Sequence, residues 1–155
     1  MAQANNPQLV GKLPPQNLDA EISTLGSLLI DKDAIIKIAD ILDSSDFYLD
    51  SHGQIFAAML ELYENRIPID ILSLASRLQE KNQLEAVGGH SYLSELANEV
   101  PTSSHIVSYA KIVQRKSTLR KLLRASADIT ELAYKETEDV ENLLDESERR
   151  LYSVS

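Results

Sequence analysis

Apolar residues recur along this chain at helical spacing, and no stretch of alternating β-branched and polar residues persists long enough to read as a strand. Leu18, Ile22, Leu25 and Leu29 fall on one stripe, as on a helix with a single buried face. Gly26 sits beside that stripe, where the missing side chain lets a second helix approach closely. Pro14 and Pro15 hold an extended entry, Asn17 is placed to cap the first N–H groups, and Asp19 and Glu21 set negative charge against the positive helix end. A short isoleucine-rich helix around Asp33 to Leu42 follows, broken by the turn formers Asp43-Ser44-Ser45-Asp46. Ser51 and Gln54 have the spacing of a capping box. They open a helix that buries Ile55, Phe56, Met59, Leu60 and Tyr63 and ends at Asn65-Arg66-Ile67-Pro68. Asp70 is the next N-cap, with Ile69 placed to staple onto Leu74 in a helix running to about Lys81. Gly88-Gly89 precedes a last short helix with Tyr92, Leu93 and Leu96, and Pro101-Thr102-Ser103-Ser104 closes the series.

The second part of the chain is built differently. Residues 104–136 contain neither Gly nor Pro, enough for an unbroken rod of roughly 50 Å. After Thr137-Glu138-Asp139 a second helix carries Val140, Leu143, Leu144 and Leu151 on one stripe. The pattern predicts an all-α protein: a flexible polar leader over 1–13, a compact head of about five short helices over 14–102, and a long antiparallel helical hairpin over 103–155. The long helix has too many apolar residues for one face. Ile106, Tyr109, Ile112, Val113, Leu119, Leu122, Leu123, Ile129, Leu132 and Tyr134 spread around it, so an isolated hairpin leaves many of them wet. Two covers are open at this point: a second copy of the chain, or the head folded back onto the hairpin.

Hydrophobic residues make up 43% and charged residues 25% of the 155, the balance of a globular rather than a disordered protein. No apolar run is long enough to span a bilayer, and the N-terminus lacks the basic and apolar segments of a signal peptide. With no cysteine, disulfides and thiolate metal sites are excluded and a reducing cytosolic setting fits. The net charge of −9 resides entirely in residues 1–103, with six Lys/Arg against fifteen Asp/Glu, while residues 104–155 balance at nine of each. Such an acidic head repels phosphate and disfavours tight duplex binding.

Candidate chemistry is sparse. Gly11-Lys12 lacks the upstream glycine and following Ser/Thr of a Walker A loop. His52, His90 and His105 show no ligand-type spacing, and packing or capping is the plainer role for His52. Glu61 and Glu64 are expected on a solvated face. Lys111, Arg115, Lys116, Arg120, Lys121 and Arg124 form the one basic run, and Lys116, Arg120 and Arg124 line a single ridge. Leucines rather than aromatics interleave it, which favours a salt-bridge ridge over a nucleic-acid contact. A helical DNA-binding regulator using this run is nevertheless the alternative reading. Tyr92 has two readings as well: a core filler with its hydroxyl at the rim, or part of a docking surface.

The order Pro14-Pro15-Gln16-Asn17-Leu18-Asp19-Ala20-Glu21, then Leu25-Gly26-Ser27-Leu28-Leu29, closely resembles the opening of the N-terminal domain of bacterial replicative DNA helicases of the DnaB family. The resemblance continues in register through Ile41-Leu42, Asp46-Phe47-Tyr48, His52, Ile55-Phe56, Pro68-Ile69-Asp70, Gln83-Leu84-Glu85, Val87-Gly88-Gly89, Tyr92-Leu93, Leu96-Ala97-Asn98-Glu99-Val100-Pro101 and Tyr109-Ala110-Lys111-Ile112-Val113. It implies a noncatalytic collar and assembly domain of a hexameric, ATP-dependent helicase, with no cofactor of its own. ATP and magnesium would belong to a separate C-terminal motor domain beyond Ser155, so the polypeptide reads as a fragment that turns over no nucleotide. Hairpins would pair subunits, with Ile112, Leu119, Leu122, Leu132, Leu143, Leu144 and Leu151 as interface candidates, and three pairs would close a ring. The implied partners are further copies of the chain, primase and, in some bacteria, a helicase loader. DNA would be reached only through the full ring, no membrane is involved, and the setting is the cytoplasm of a bacterium or a plastid. Asp19, Tyr92, Leu123 and Ile129 are the positions at which primase docking is expected.

Overall fold

A computed structural model describes residues 12–155 as seven α-helices: α1 (Leu18–Ile30), α2 (Ile35–Ile38), α3 (Asp50–Glu64), α4 (Ile71–Glu80), α5 (Gly89–Glu99), α6 (Ile106–Ala133) and α7 (Val140–Tyr152), with a 3-10 turn at Ser44–Asp46. The expected leader falls, apart from Lys12 and Leu13, outside the described residues. Two compact units result, one of residues 17–117 and the other of residues 118–155, with which residues 12–16 group.

The first unit is the head. Asn17 caps α1 by accepting from the Ala20 N–H at 2.9 Å, which satisfies one of the unpaired donors of the first turn. The face that α1 buries contains Ala20, Glu21, Thr24, Leu25, Ser27 and Leu28, so it is partly polar where the apolar stripe alone was read. Thr24 and Ser27 are tolerated there because their hydroxyls donate to the carbonyls of Ala20 and Ser23, each at 2.7 Å. Helix α1 packs on α5 and α3, while α3 and α5 both pack on α4. Gly26 is where α1 meets α5: a Cβ there would collide with the backbone oxygen of Leu96.

The remaining elements start where capping chemistry allows. The short isoleucine-rich helix is a single turn, α2, burying Ile35 and Ile38. Asp43 and Asp46 cap the 3-10 turn reciprocally through Ser45 N–H at 3.0 Å and Asp43 N–H at 2.8 Å. The expected capping box at Ser51 and Gln54 does not form. Helix α3 begins two residues earlier, with Leu49 at its cap and no side-chain bond there, and His52 and Gly53 inside its first turns are buried. Tyr63, expected inside, is exposed at the far end of that helix. Asp70 caps α4 through Ser73 N–H at 2.8 Å, and the Ser73 hydroxyl answers from the other side. Ile69 and Leu74 are both buried in the same core.

The first three turns of α6 belong to this head, not to the hairpin, which was expected to begin at residue 103. Ile106, Ala110 and Val113 join the head's core, four and then three residues apart. Polar ties add to them: the Ser117 hydroxyl donates to buried Asp46 at 2.7 Å, and Gln114 donates to the Ile41 carbonyl at 2.9 Å.

The second unit is the hairpin proper. Asp139 accepts from Glu141 N–H to start α7. Arg150 on α7 pairs with Asp128 on α6 at 2.9 Å, and Lys121 and Arg124, earlier on α6, share a cleft with Ser153 and Val154, just past α7, so the two helices run antiparallel. Arg120 donates to the Pro15 carbonyl at 2.7 Å, which ties residues before Asn17 to this unit. Only Ala125 and Leu132 are buried on this part of α6, and α7 buries nothing.

Candidate functional site

The head's core holds a polar network that joins three helices. Glu21 on α1 and His52 on α3 are essentially sealed, at 1% and 0% exposure. Glu21 Oε1 lies 2.8 Å from His52 Nδ1, and its Oε2 accepts from the Tyr48 backbone N–H at 2.7 Å. On the other side of the imidazole, Nε2 lies 2.6 Å from the hydroxyl of Tyr92 on α5. The imidazole and phenol rings are nearly parallel, 9° apart with centroids separated by 6.0 Å. Every polar atom of the carboxylate and the imidazole is thereby bonded, the condition under which such groups are tolerated in a core.

Local sequence puts Tyr92 at this point. Gly88 takes φ +114°, a left-handed conformation that side chains resist, and a Cβ on it would stand 2.6 Å from the Tyr92 Cβ. The glycine therefore both turns the chain into α5 and leaves room for the tyrosine. Burial, followed by the charges of Glu95, Glu21 and Glu99, pushes the Tyr92 phenol above its ordinary value of 10.0. Carboxylate, imidazole and hydroxyl in that order also describe a nucleophilic triad. A phenol driven further toward its protonated form is a poor nucleophile, however, so the arrangement orients Tyr92 instead of activating it.

The positions expected from sequence are distributed over both units. Asp19 is exposed in the first turn of α1, and Tyr92 is half-buried on α5, the helix against which α1 packs. Leu123 is exposed and Ile129 half-buried on the part of α6 that belongs to the hairpin. Among the interface candidates, Leu122, Leu144 and Leu151 are 41%, 58% and 53% exposed, and Ile112 on the head's stretch of α6 is also exposed. Leu119 and Leu143 are half-buried. Leu132 is buried in the single chain.

The residues of the basic ridge have different surroundings. Lys116 lies on the head's part of α6 and is half-buried, Arg120 is bonded to Pro15, and Arg124 lines a cleft with Lys121, Asp128 and Arg150. His105 packs edge-on against Tyr109, with centroids 6.3 Å apart, and His90 is exposed. Among the described residues no group of three or more His, Asp or Glu side chains is arranged to hold a metal ion.

Sequence reasoning missed the Glu21–His52–Tyr92 network. Its members are 31 and 40 residues apart, and no spacing rule links them. The available sign was Glu21 itself, a carboxylate four residues before Leu25 on the buried side of α1.

A family model describing the DnaB-like helicase N terminal domain matches residues 13–115. The replicative DNA helicase DnaB of Geobacillus stearothermophilus is 40% identical over 144 residues, covering 93% of this chain and 32% of that protein. The replicative DNA helicase DnaC of Bacillus subtilis (strain 168) is 41% identical over a stretch of the same length. The chain thus spans about a third of the length of these curated relatives. Among solved structures, the crystal structure of the N-terminal domain of DnaB helicase from Mycobacterium tuberculosis superposes with a TM-score of 0.87 at 36% identity, covering 91% of this chain and 99% of that one. A DnaB-like replicative helicase whose interactions with primase have been described superposes at 0.76 with 25% identity, covering 90% of this chain and 32% of that one. Sequence, fold and coverage agree, and the chain belongs to the DnaB-like helicase N-terminal domain family.

Proposed function

We propose that the chain is the assembly and docking region of a replicative DNA helicase: its hairpin pairs subunits, and its surface receives primase and, where one exists, a helicase loader. The observation that carries this reading is the hairpin's exposed aliphatic surface. Helix α7 has no buried residue, while Leu122, Leu123, Leu144 and Leu151 all face water in the single chain. Two helices that bury so little against each other gain their stability from a further surface, because amphipathic helices are held mainly by tertiary packing. In the full ring, three hairpin pairs set the geometry of motor domains that supply ATP hydrolysis, and the ring rather than this region engages DNA.

Docking of primase is assigned to Asp19, Tyr92, Leu123 and Ile129, a carboxylate, a tyrosine and two aliphatics of the kind that form a mixed interface. The relative solved with primase supports that choice of partner. The setting in this reading is the bacterial cytoplasm, and among the described residues no helix is long and apolar enough to cross a membrane.

The decisive experiment is light scattering coupled to size-exclusion chromatography on the chain and on a Leu122→Glu, Leu144→Glu variant. The wild type is expected above monomer mass and the variant at monomer mass with its helix content kept. A wild type that stays monomeric at high concentration, unaffected by the two charges, would overturn the reading.

A further inference from the structure

We infer that His52, anchored by Glu21, is a positioning residue for Tyr92 and holds that side chain in the single orientation in which it meets a docking protein. The inference rests on the docking role proposed for Tyr92 and deepens it. A half-exposed tyrosine on a helix ordinarily samples more than one rotamer, and a partner that needs one of them loses affinity by selecting it. Tyr92 is not free to do so. Its hydroxyl is 2.6 Å from an imidazole that is completely buried, and that imidazole is held 2.8 Å from a carboxylate whose second oxygen is taken by the Tyr48 N–H. The support therefore comes from α1, α3 and the segment before α3, while the supported side chain belongs to α5.

Both ring nitrogens of His52 are engaged, Nδ1 with Glu21 and Nε2 with the Tyr92 hydroxyl, so the imidazole cannot turn without breaking a bond on each side. The Gly88 turn holds Tyr92 from outside the network, since any side chain at 88 would press on its Cβ and Cγ. A half-buried tyrosine with its ring parallel to a buried imidazole and its hydroxyl bonded inward is a preorganised contact.

The test uses the chain carrying 13C at tyrosine Cζ, with Tyr92→Phe to assign the resonance, and the helicase-binding domain of the same organism's primase as the probe. His52→Asn is expected to move the Tyr92 Cζ resonance, which senses the hydrogen bond of the attached hydroxyl. It is also expected to weaken primase binding about tenfold in the wild-type background but less than about twofold in a Tyr92→Phe background, because the two residues act as one unit. Should His52→Asn fail to fold, Glu21→Gln, which keeps the side chain's shape and removes its charge, is expected to reproduce both effects. An unmoved Tyr92 resonance, or an equal loss of affinity in both backgrounds, would overturn the positioning role. If instead Tyr92→Ala binds primase as tightly as the wild type, the docking role on which this inference rests is overturned.

Discussion

Gly26 on α1 lies directly against the backbone carbonyl of Leu96 on α5, with no room between them for a methyl group. A backbone oxygen cannot rotate aside as a flexible side chain can, so the two helices must separate to admit any larger residue. Gly26→Ala is expected to lower stability by about 1–3 kcal/mol even though alanine is the better helix former. Urea denaturation of the two proteins measures this, and a neutral or stabilising result would show that α1 and α5 are not held as tightly as described.

The caps of α1 and α4 are independent of each other in sequence and share no partner. Asn17 accepts from Ala20 N–H and Asp70 from Ser73 N–H. Asn17→Ala and Asp70→Ala should each cost about 1 kcal/mol, and the double variant should show the sum to within about 0.5 kcal/mol. Thermal melts of the three variants provide the comparison.

Glu61 on α3 bonds to Lys81 at 2.7 Å and to Arg77 on α4. The Lys81 hydrogen bond is the largest of the influences that hold its carboxyl below the ordinary glutamate value of 4.5. A carboxyl depressed on folding adds stability that is fully present above 4.5 and is lost as pH falls through the lower folded value. Glu61→Gln is therefore expected to make the melting temperature fall less steeply on the acid side while leaving the slope near neutral pH unchanged. Melts in a pH series report both limbs.

Within the hairpin, packing and charge should contribute unequally. Leu132 is buried, whereas the Asp128 and Arg150 side chains that form the interhelical ion pair are 36% and 42% exposed. Leu132→Ala is expected to destabilise by about 2 kcal/mol or more, and Arg150→Ala by under about 1 kcal/mol since water screens the pair. Chemical denaturation monitored by helix content separates the two.

The basic run of α6 separates assembly from DNA binding. A protein that neutralises several phosphates loses affinity about a thousandfold or more between 50 and 200 mM salt. The chain is expected to bind duplex weakly at both salt concentrations, given its net charge of −9 and the engagement of Arg120 with Pro15. Tight low-salt binding that collapses at moderate salt, measured by fluorescence anisotropy, would favour a nucleic-acid role.

Helices and their caps were legible before any coordinates because both are local. Asn17 and Asp70 act within a few residues of themselves, and apolar spacing of three and four needs only neighbouring turns. The close approach at Gly26 was legible for the same reason: a glycine within an apolar stripe has few other uses. Where tertiary packing overrode local preference, the reading missed. Ser51 lies inside α3 rather than at its cap, and its neighbours His52 and Gly53 are buried in the core. The break between head and hairpin falls inside α6, whose sequence never interrupts the helix.

Local periodicity in the chain settled that it would be helical, where most helices would begin, and that its C-terminal part would carry more apolar surface than one hairpin can hide. Tertiary structure alone decided which residues would share a core and which polar groups would survive in it. Glu21, His52 and Tyr92 come from three helices and form one bonded unit only when α1, α3 and α5 are assembled. The physical reason is that a buried carboxylate and imidazole are tolerable only with partners at hydrogen-bond distance, and distance in space between residues dozens of positions apart is a property of the fold, not of their spacing along the chain.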